Sequence, residues 1–184
     1  RYFYVRESVM SVRVNMPGGK PFYAVNTHLS AFSTDDTKQR QLNRYISICD
    51  SLVHTGLPLV TGGDYNLIPP NSDVTDYCLE DACEDEHYHG EGDDPMHKEG
   101  SYYTPEITWL NPLYSKYYPS LPLESYKNNQ TDNFTACADP ENFWHKTLDY
   151  LFASTPFVPG SHKAWQELRR QSDHAPVTAY WIVK

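Results

Sequence analysis

Four short polar groups, each at an end of an apolar segment, constrain the fold of this chain more than any other feature. They occupy residues 26–29 (Asn-Thr-His-Leu), 63–66 (Gly-Asp-Tyr-Asn), 148–150 (Leu-Asp-Tyr) and 172–174 (Ser-Asp-His). Such side chains cost free energy when they are buried unpaired, whereas a rigid set of strand ends can bring them to one point. The sequence therefore predicts a domain built on a sheet, with one polar site at its strand ends.

Apolar patterning in the first third of the chain predicts strands and one helix. Residues 2–15 contain β-branched and aromatic residues with stretches of alternation, which indicates one or two strands. Residues 22–27 form a continuous apolar run, typical of a strand that is buried on both faces. A helix is expected from Thr34 or Asp35 to about Thr55, because apolar residues recur there at helical spacing and a glycine stands at the stop position.

The segment after this helix predicts a crossover into the same sheet. Residues 57–61 form the next strand, which we expect to break at Gly62 and Gly63. Strand, helix and strand in this order are the pattern of a crossover connection. Two later strands are predicted at residues 147–153 and at residues 173–183, where the chain ends.

Residues 69–146 differ from the rest, since they hold most of the prolines and tyrosines and show weak periodicity. We interpret them as a long loop-rich elaboration with short helices, inside a single domain that covers residues 1–184. The acidic stretch within it contains His87, His89 and His97 and allows two interpretations, a solvated loop or a second metal site. The solvated loop is favoured, because acidic blocks usually stay in water.

The composition limits the classes of function. No apolar run approaches the ~20 residues that cross a bilayer, so we expect a soluble protein without a transmembrane segment. The formal net charge is −9, which argues against tight, sequence-blind binding of nucleic acid and suits the binding of cations. The cysteine spacing matches no zinc motif, and the compartment stays open between secreted and cytoplasmic.

Each polar group has a simple structural explanation when it is taken singly. Asp64 and Asn66 could shape a turn, which is the commoner role of such sequences. Asp149 could be an inward charge paired with Lys146, and Asp173 could cap a helix or strand. Four such groups in this order, each joined to an apolar strand, favour a functional site over four separate coincidences.

The four motifs, in this order, resemble the later motifs of the endonuclease/exonuclease/phosphatase superfamily. The resemblance spans about residues 9–184, although residues 70–146 contribute almost nothing to it, and Tyr65 stands where that superfamily usually has Phe. It implies an α+β fold, the DNase I-like four-layer α/β/β/α sandwich, of which this chain would supply the carboxyl-terminal part. It also implies a divalent cation, Mg²⁺ or Mn²⁺, for which oxygen ligands are suited.

The resemblance assigns a role to each motif residue nearest the metal. Asp173 would be a chief metal ligand, together with a Glu from an earlier motif. Asp64 would lie close to the metal or orient the attacking water, and Asn66 would contact the phosphoryl oxygen or position the nucleophile.

The imidazoles take the remaining roles that the resemblance implies. His174 would be the general base or a cationic stabiliser of the pentacovalent transition state, and Asp149 would hold its ring and raise its basicity. His28 would contact the scissile phosphate from the other side. Either Asp64 or His174 could take the proton of the water.

The earlier motifs of the superfamily, a strand ending in Asn and another ending in the metal-binding Glu, do not occur in these 184 residues. Glu7 has the wrong context to replace that Glu. We therefore expect the missing amino-terminal part of the domain to belong to the same gene product, and the lone chain to be inactive or very weak.

The function predicted from these motifs is metal-dependent hydrolysis of a phosphoester, and more specifically of a phosphodiester. The substrate stays open between nucleic acid, as for a nuclease, and a phospholipid or small phosphodiester, as for a sphingomyelinase-like enzyme. The alternative from another class is a non-catalytic module that keeps the fold and acts in binding.

Overall fold

The computed structural model describes residues 8–31, 36–70, 72, 106–136, 144, 146–168 and 171–183. The elements are β1 (Val9–Val14), β2 (Phe22–His28), α1 (Thr37–Val53), β3 (Leu59–Asp64), α2 (Asn111–Lys116), β4 (Tyr118–Pro119), α3 (Leu123–Asn128), β5 (Asp149–Ala153), β6 (Lys163–Ala164) and β7 (Val177–Thr178). Short 3₁₀ turns lie at Thr131–Asn133 and Gln166–Leu168. Among the described helices, none is long and apolar enough to cross a membrane.

Five strands form one mixed sheet in the order β1-β2-β3-β5-β4, and β6 pairs with β7 in a second, two-stranded sheet. β1 runs antiparallel to β2, which runs parallel to β3. β5 runs antiparallel to both β3 and β4. Because α1 connects the parallel pair β2 and β3, the predicted crossover is confirmed.

Strands are confirmed within the predicted segments 2–15, 22–27 and 147–153, whereas residues 2–7 of the first segment lie outside the described part of the chain. The expectation that β2 is buried on both faces is wrong at its carboxyl end. There the buried Val25 and Thr27 alternate with the exposed Asn26 and His28. This alternation leaves the side chain that ends β2 open to solvent.

Helix α1 covers one face of the sheet with its apolar stripe. Leu42, Tyr45, Ile46 and Cys49 are buried and belong to the same core cluster as strand residues such as Phe152. Burial of one such side chain contributes about 1.5–3 kcal/mol to folding. α1 therefore has a fixed position on β2 and β3, and its amino-terminal half lies near the ends of these strands.

The predicted break at Gly62 and Gly63 is wrong, because β3 continues through both glycines to Asp64. A Cβ on Gly62 would lie 2.6 Å from the carbonyl oxygen of Tyr150, and a Cβ on Gly63 would lie 1.9 Å from the carbonyl oxygen of Thr27. Gly63 also has a φ of +145°. The glycines thus allow the backbones of β2 and β5 to approach β3 closely, and they do not end it.

The predicted terminal strand at residues 173–183 is also different in the structure. His174 makes one bridge to Ala136, β7 pairs with β6 over two residues, and Trp181 makes one bridge to Phe157. Since successive pieces pair with different segments, no continuous ladder forms along this part of the chain.

Candidate active site

Three neighbouring strands place polar residues in one row at the same edge of the sheet. His28 ends β2 and is in register with Asp64, the last residue of β3. Asp64 is in turn in register with Asp149, the first residue of β5. Neighbouring strands lie about 4.8 Å apart, so this register alone brings the three side chains into one site.

His174 joins this row from the connection that follows residue 171. Its backbone amide donates to the Ser172 hydroxyl (3.0 Å), and the next amide, of Ala175, donates to the carbonyl oxygen of Thr135 (2.7 Å). The imidazole Nδ1 lies 2.7 Å from Oδ2 of Asp149. Among the described residues, Asp149 therefore forms an ion pair with His174.

The Asp64 carboxylate lies between the two imidazoles. Its Oδ2 is 3.4 Å from Nε2 of His28 and 3.8 Å from Nε2 of His174. The Asp64 side chain is 14% exposed, that of His174 is 32% exposed and that of His28 is 69% exposed. The arrangement thus has a shielded carboxylate at its base and an imidazole that solvent or a substrate can reach.

Asn66 is buried beside Asp64 in a tight turn. Its amide N–H donates to Oδ1 of Asp64 (2.8 Å), and its side-chain Nδ2 donates to the carbonyl oxygen of Leu29 (2.9 Å). Its φ of +48° lies in the left-handed region, which Asn tolerates better than most residues. The turn-shaping explanation therefore holds for this pair, and the same turn ties the end of β2 to the end of β3.

The electrostatics of the row follow from burial and from the closeness of its charges. Burial and the neighbouring charge of Asp149 raise the pKa of the Asp64 carboxyl, although the Asn66 amide and the two imidazoles oppose this. The hydrogen bond that the His174 ring donates to Asp149 raises the pKa of His174 to about 9, against the effect of partial burial. Two carboxylates in one small site thus favour a positive charge beside them.

Asp64, Asp149 and His174 each offer a ligand atom, and these atoms lie within 4.8 Å of one another. Asp173 is not in this group. It is exposed next to His174, and its Oδ1 accepts a hydrogen bond from the Ser172 hydroxyl (3.3 Å). The two carboxylates have the donor chemistry of a magnesium site, which commonly uses one or two carboxylates besides water and substrate oxygens.

Thr135 supports the pair of Asp149 and His174, although it belongs to none of the four sequence motifs. Its buried hydroxyl oxygen accepts from the amides of Leu148 (3.0 Å) and Asp149 (3.1 Å), while its carbonyl oxygen accepts from Ala175. Thr135 lies in a segment of weak periodicity, so no pattern in the sequence could have identified it.

A buried ion pair behind the row was also not predicted. Lys38, in the first turn of α1, places Nζ 2.6 Å from Oε2 of Glu106, and the Lys38 side chain is fully buried. Burial lowers the pKa of Lys38, although the negative charges of Glu106 and of the more distant Asp64 act in the opposite direction. A charged residue at a buried position of an amphipathic helix was the available signal.

Tyr65, between Asp64 and Asn66, is completely buried and its hydroxyl is engaged. It lies 2.7 Å from the hydroxyl of Tyr45, which also bonds to the Thr61 hydroxyl. Burial raises the pKa of Tyr65 far above its ordinary value. The hydroxyl that distinguishes Tyr65 from the usual Phe thus connects β3 to α1.

No family model and no curated protein matches the chain. Solved structures with a similar fold include the catalytic domain of APE2 from Xenopus laevis (18% identity, TM-score 0.54), a truncated TDP2 from Caenorhabditis elegans (16%, 0.54) and the 3' phosphatase NExo from Neisseria bound to a product DNA hairpin (19%, 0.51). The similarity covers 95%, 94% and 88% of this chain and 55%, 58% and 61% of those chains. The chain thus spans little more than half of their length, and at these identities the likeness establishes the fold alone.

Proposed function

On the premise that the chain has the α+β, DNase I-like fold of the endonuclease/exonuclease/phosphatase superfamily, we propose that its protein is a divalent-metal-dependent phosphoester hydrolase. The favoured substrate class is a phosphodiester. The observation that carries this proposal is the row His28, Asp64 and Asp149 with His174 bonded to Asp149 at 2.7 Å.

A phosphodiester is anionic and repels nucleophiles, so its hydrolysis needs positive charge, an activated water and a stabilised leaving oxygen. A bound Mg²⁺ or Mn²⁺ would supply charge neutralisation and a more acidic water. Asp64 would hold that cation, and Asp149 stands close enough to Asp64 to supply a second carboxylate. The sequence-based prediction of Asp173 as a metal ligand stays a prediction, because its carboxylate lies outside the group formed by Asp64, Asp149 and His174. The sequence-based prediction of a further ligand, a Glu preceding Arg1, stays a prediction.

Asp64 and His174 are the two candidates for proton transfer, and His174 would act through Nε2. Its other ring nitrogen, Nδ1, is held by Asp149, so only Nε2 is directed toward Asp64 and the open side of the site. This nitrogen can accept a proton from water or donate one to a phosphoryl oxygen. Asp64 and His174 as general base predict two different pH–rate profiles. In each profile the rate falls at low pH as the base becomes protonated, so the position of that fall identifies the base.

The remaining two residues would bind the substrate. His28 is the most exposed member of the row, and its imidazole lies across the Asp64 carboxylate from His174. A phosphate placed over Asp64 and its cation would therefore contact both imidazoles. Asn66 would orient the phosphoryl oxygen or the nucleophile, with Leu29 fixing its side chain.

The experiment is hydrolysis of an activated phosphodiester, such as bis-p-nitrophenyl phosphate, by the complete protein that includes the predicted amino-terminal part of the domain, with Mg²⁺, with Mn²⁺ and with chelator. We expect His174→Ala and Asp64→Ala each to lower turnover by about 10³-fold, with folding intact by circular dichroism. His54→Ala is the matched control, because this exposed imidazole lies after α1 and bonds only locally to the Asp50 carbonyl. Near-wild-type rates from either site variant would contradict the assignment.

The alternative of a non-catalytic binding module makes the opposite prediction. Under it even the complete wild-type protein hydrolyses none of plasmid DNA, sphingomyelin or an inositol polyphosphate with either metal. The same three substrates, assayed with and without an added amino-terminal half of the domain, also test the expectation that the lone chain is weak.

A further inference from the structure

A cavity of about 430 Å³ opens beside His28, between the end of β2 and one side of α1. This volume lies within the range of ligand-binding pockets. Its apolar lining includes Leu29 and Ile48, while α1 contributes Arg40 and Arg44. The cavity therefore borders the candidate site directly and combines an apolar surface with cationic side chains.

The α1 wall of this cavity is held in a fixed position relative to His28. Oε1 of Gln41 accepts a hydrogen bond of 2.9 Å from the backbone amide of Ser30, two residues after His28. The opposite side of α1 is buried in the core through residues such as Leu42 and Tyr45. The two guanidinium groups, one helical turn apart, thus extend from a rigid support.

The described lining of the cavity differs in charge from the chain as a whole. The chain carries a formal net charge of −9, yet the lining residues within the described part of the chain include two arginines and no aspartate or glutamate. Arg40 contacts the Asp36 carboxylate (3.4 Å) and the Thr37 hydroxyl (3.0 Å), but both partners of that ion pair are exposed. Exposed ion pairs are weak, so an incoming dianion can compete with Asp36 for this guanidinium.

We propose that this cavity binds a second phosphate group of the substrate, next to the phosphoester that is cleaved at the row of His28, Asp64 and Asp149. The inference rests on the proposed function and narrows its substrate class. Guanidinium groups form paired hydrogen bonds to phosphate, and Arg40 and Arg44 stand one turn apart on the same wall. The apolar lining would take the sugar, base or ring that joins the two phosphates.

This assignment favours one of the two substrate classes left open by the sequence. A phosphocholine lipid would bring a cationic group instead of a second anion to the vicinity of Arg40 and Arg44, which like-charge repulsion disfavours. A substrate with neighbouring phosphates, either nucleic acid or a small polyphosphorylated molecule, matches the cavity in charge.

The test compares two ligands that differ by one phosphate, a dinucleotide with and without an additional terminal phosphate. Equilibrium binding is measured in chelator and kcat/KM is measured with Mg²⁺, and an inositol bisphosphate separates the small-molecule source from the nucleic-acid source. The test variant is Arg40→Ala/Arg44→Ala. The matched control is Arg13→Ala, because Arg13 is exposed on β1 and pairs in register with Tyr23, at the end of β2 far from His28.

The wild-type protein should bind the doubly phosphorylated ligand about tenfold more tightly than its partner, and high salt should reduce that ratio. The ratio should fall to about 1 in Arg40→Ala/Arg44→Ala and stay near tenfold in Arg13→Ala. A ratio of about 1 in the wild type, or an unchanged ratio in the double variant, would overturn the proposal. Because binding is read without metal, a complete protein, with the predicted amino-terminal part of its domain, that is inactive but keeps the arginine-dependent ratio would refute the hydrolase function and leave this inference standing.

Discussion

Replacement of Asp149 by Asn tests the physical basis of the candidate site most directly. The substitution keeps the size of the side chain and removes its charge, so His174 loses the partner that contributes most to its raised pKa. A pKa raised from 6.5 to about 9 corresponds to about 3 kcal/mol of preference for the protonated ring. Since the His174 side chain is 32% exposed, solvent screening reduces the share attributable to Asp149 to about 2 kcal/mol.

The assay is an NMR titration of the His174 ring in chelator-treated protein. We expect the pKa of His174 in Asp149→Asn to fall from about 9 toward its ordinary value of 6.5, because partial burial then opposes the smaller raising effects of Asp64 and Asp173. The control is Asp132→Asn, an exposed carboxylate that accepts from the Asn129 side chain. A pKa of His174 that stays near 9 in Asp149→Asn would refute the reasoning.

The same pair makes the stability of the metal-free protein depend on pH. The folded-state pKa of His174 is raised above its ordinary value, so the stabilisation is complete below pH 6.5 and is lost as the pH rises through about 9. Urea denaturation between these limits should show this loss in the wild type and not in Asp149→Asn. Turnover should also fall by about 10³–10⁴-fold, as it does when a carboxylate that orients a catalytic imidazole is neutralised.

Three further predictions concern the scaffold, and each is read as a free energy of unfolding from urea denaturation. Gly63→Ala should cost at least about 3 kcal/mol, because its Cβ would meet a carbonyl oxygen of β2 at 1.9 Å. Gly56→Ala, with open space around its Cβ, should cost about 1 kcal/mol, and similar losses in the two variants would refute the argument. Burial lowers the pKa of His162 to about 4, so stability is complete above pH 6.5 and should fall by about 2 kcal/mol by a pH of about 4.5, a loss that His162→Gln should remove. Lys38→Met leaves the buried Glu106 carboxylate without its ion-pair partner and should cost about 3 kcal/mol. The double variant Lys38→Met/Glu106→Leu should recover most of this stability, and equal stability of the single and double variants would count against the ion pair.

The row of site residues could be anticipated from sequence because a strand places its last side chain at a fixed edge of the sheet. His28, Asp64 and Asp149 each stand where an apolar run stops or begins, and parallel or antiparallel pairing in register suffices to align them. Helix α1 could also be predicted from the sequence, because Leu42, Ile46 and Cys49 recur at helical spacing. Side chains repeat every two residues along a strand and every 3.6 residues along a helix, so the spacing of apolar residues within a short segment predicts either element.

Other features depend on contacts between distant segments and leave no local pattern. Gly62 and Gly63 look like a turn, but the backbones of neighbouring strands decide that they lie inside β3. The apolar run at 173–183 looks like one strand, but its pieces pair with three separate partners. Thr135 gains its importance only when the ends of two remote segments meet on it.

The hydrogen bonds of Thr135 also determine how a local displacement of the backbone affects the candidate site. One residue fixes the amide of Asp149 with its hydroxyl and the amide of Ala175, adjacent to His174, with its carbonyl oxygen. A displacement of this point therefore carries the carboxylate and the imidazole along together and preserves their spacing. Asp149 and His174 should therefore move together. When the surrounding loops move, the alignment of Asp149 with His174 should change less than the alignment of this pair with Asp64.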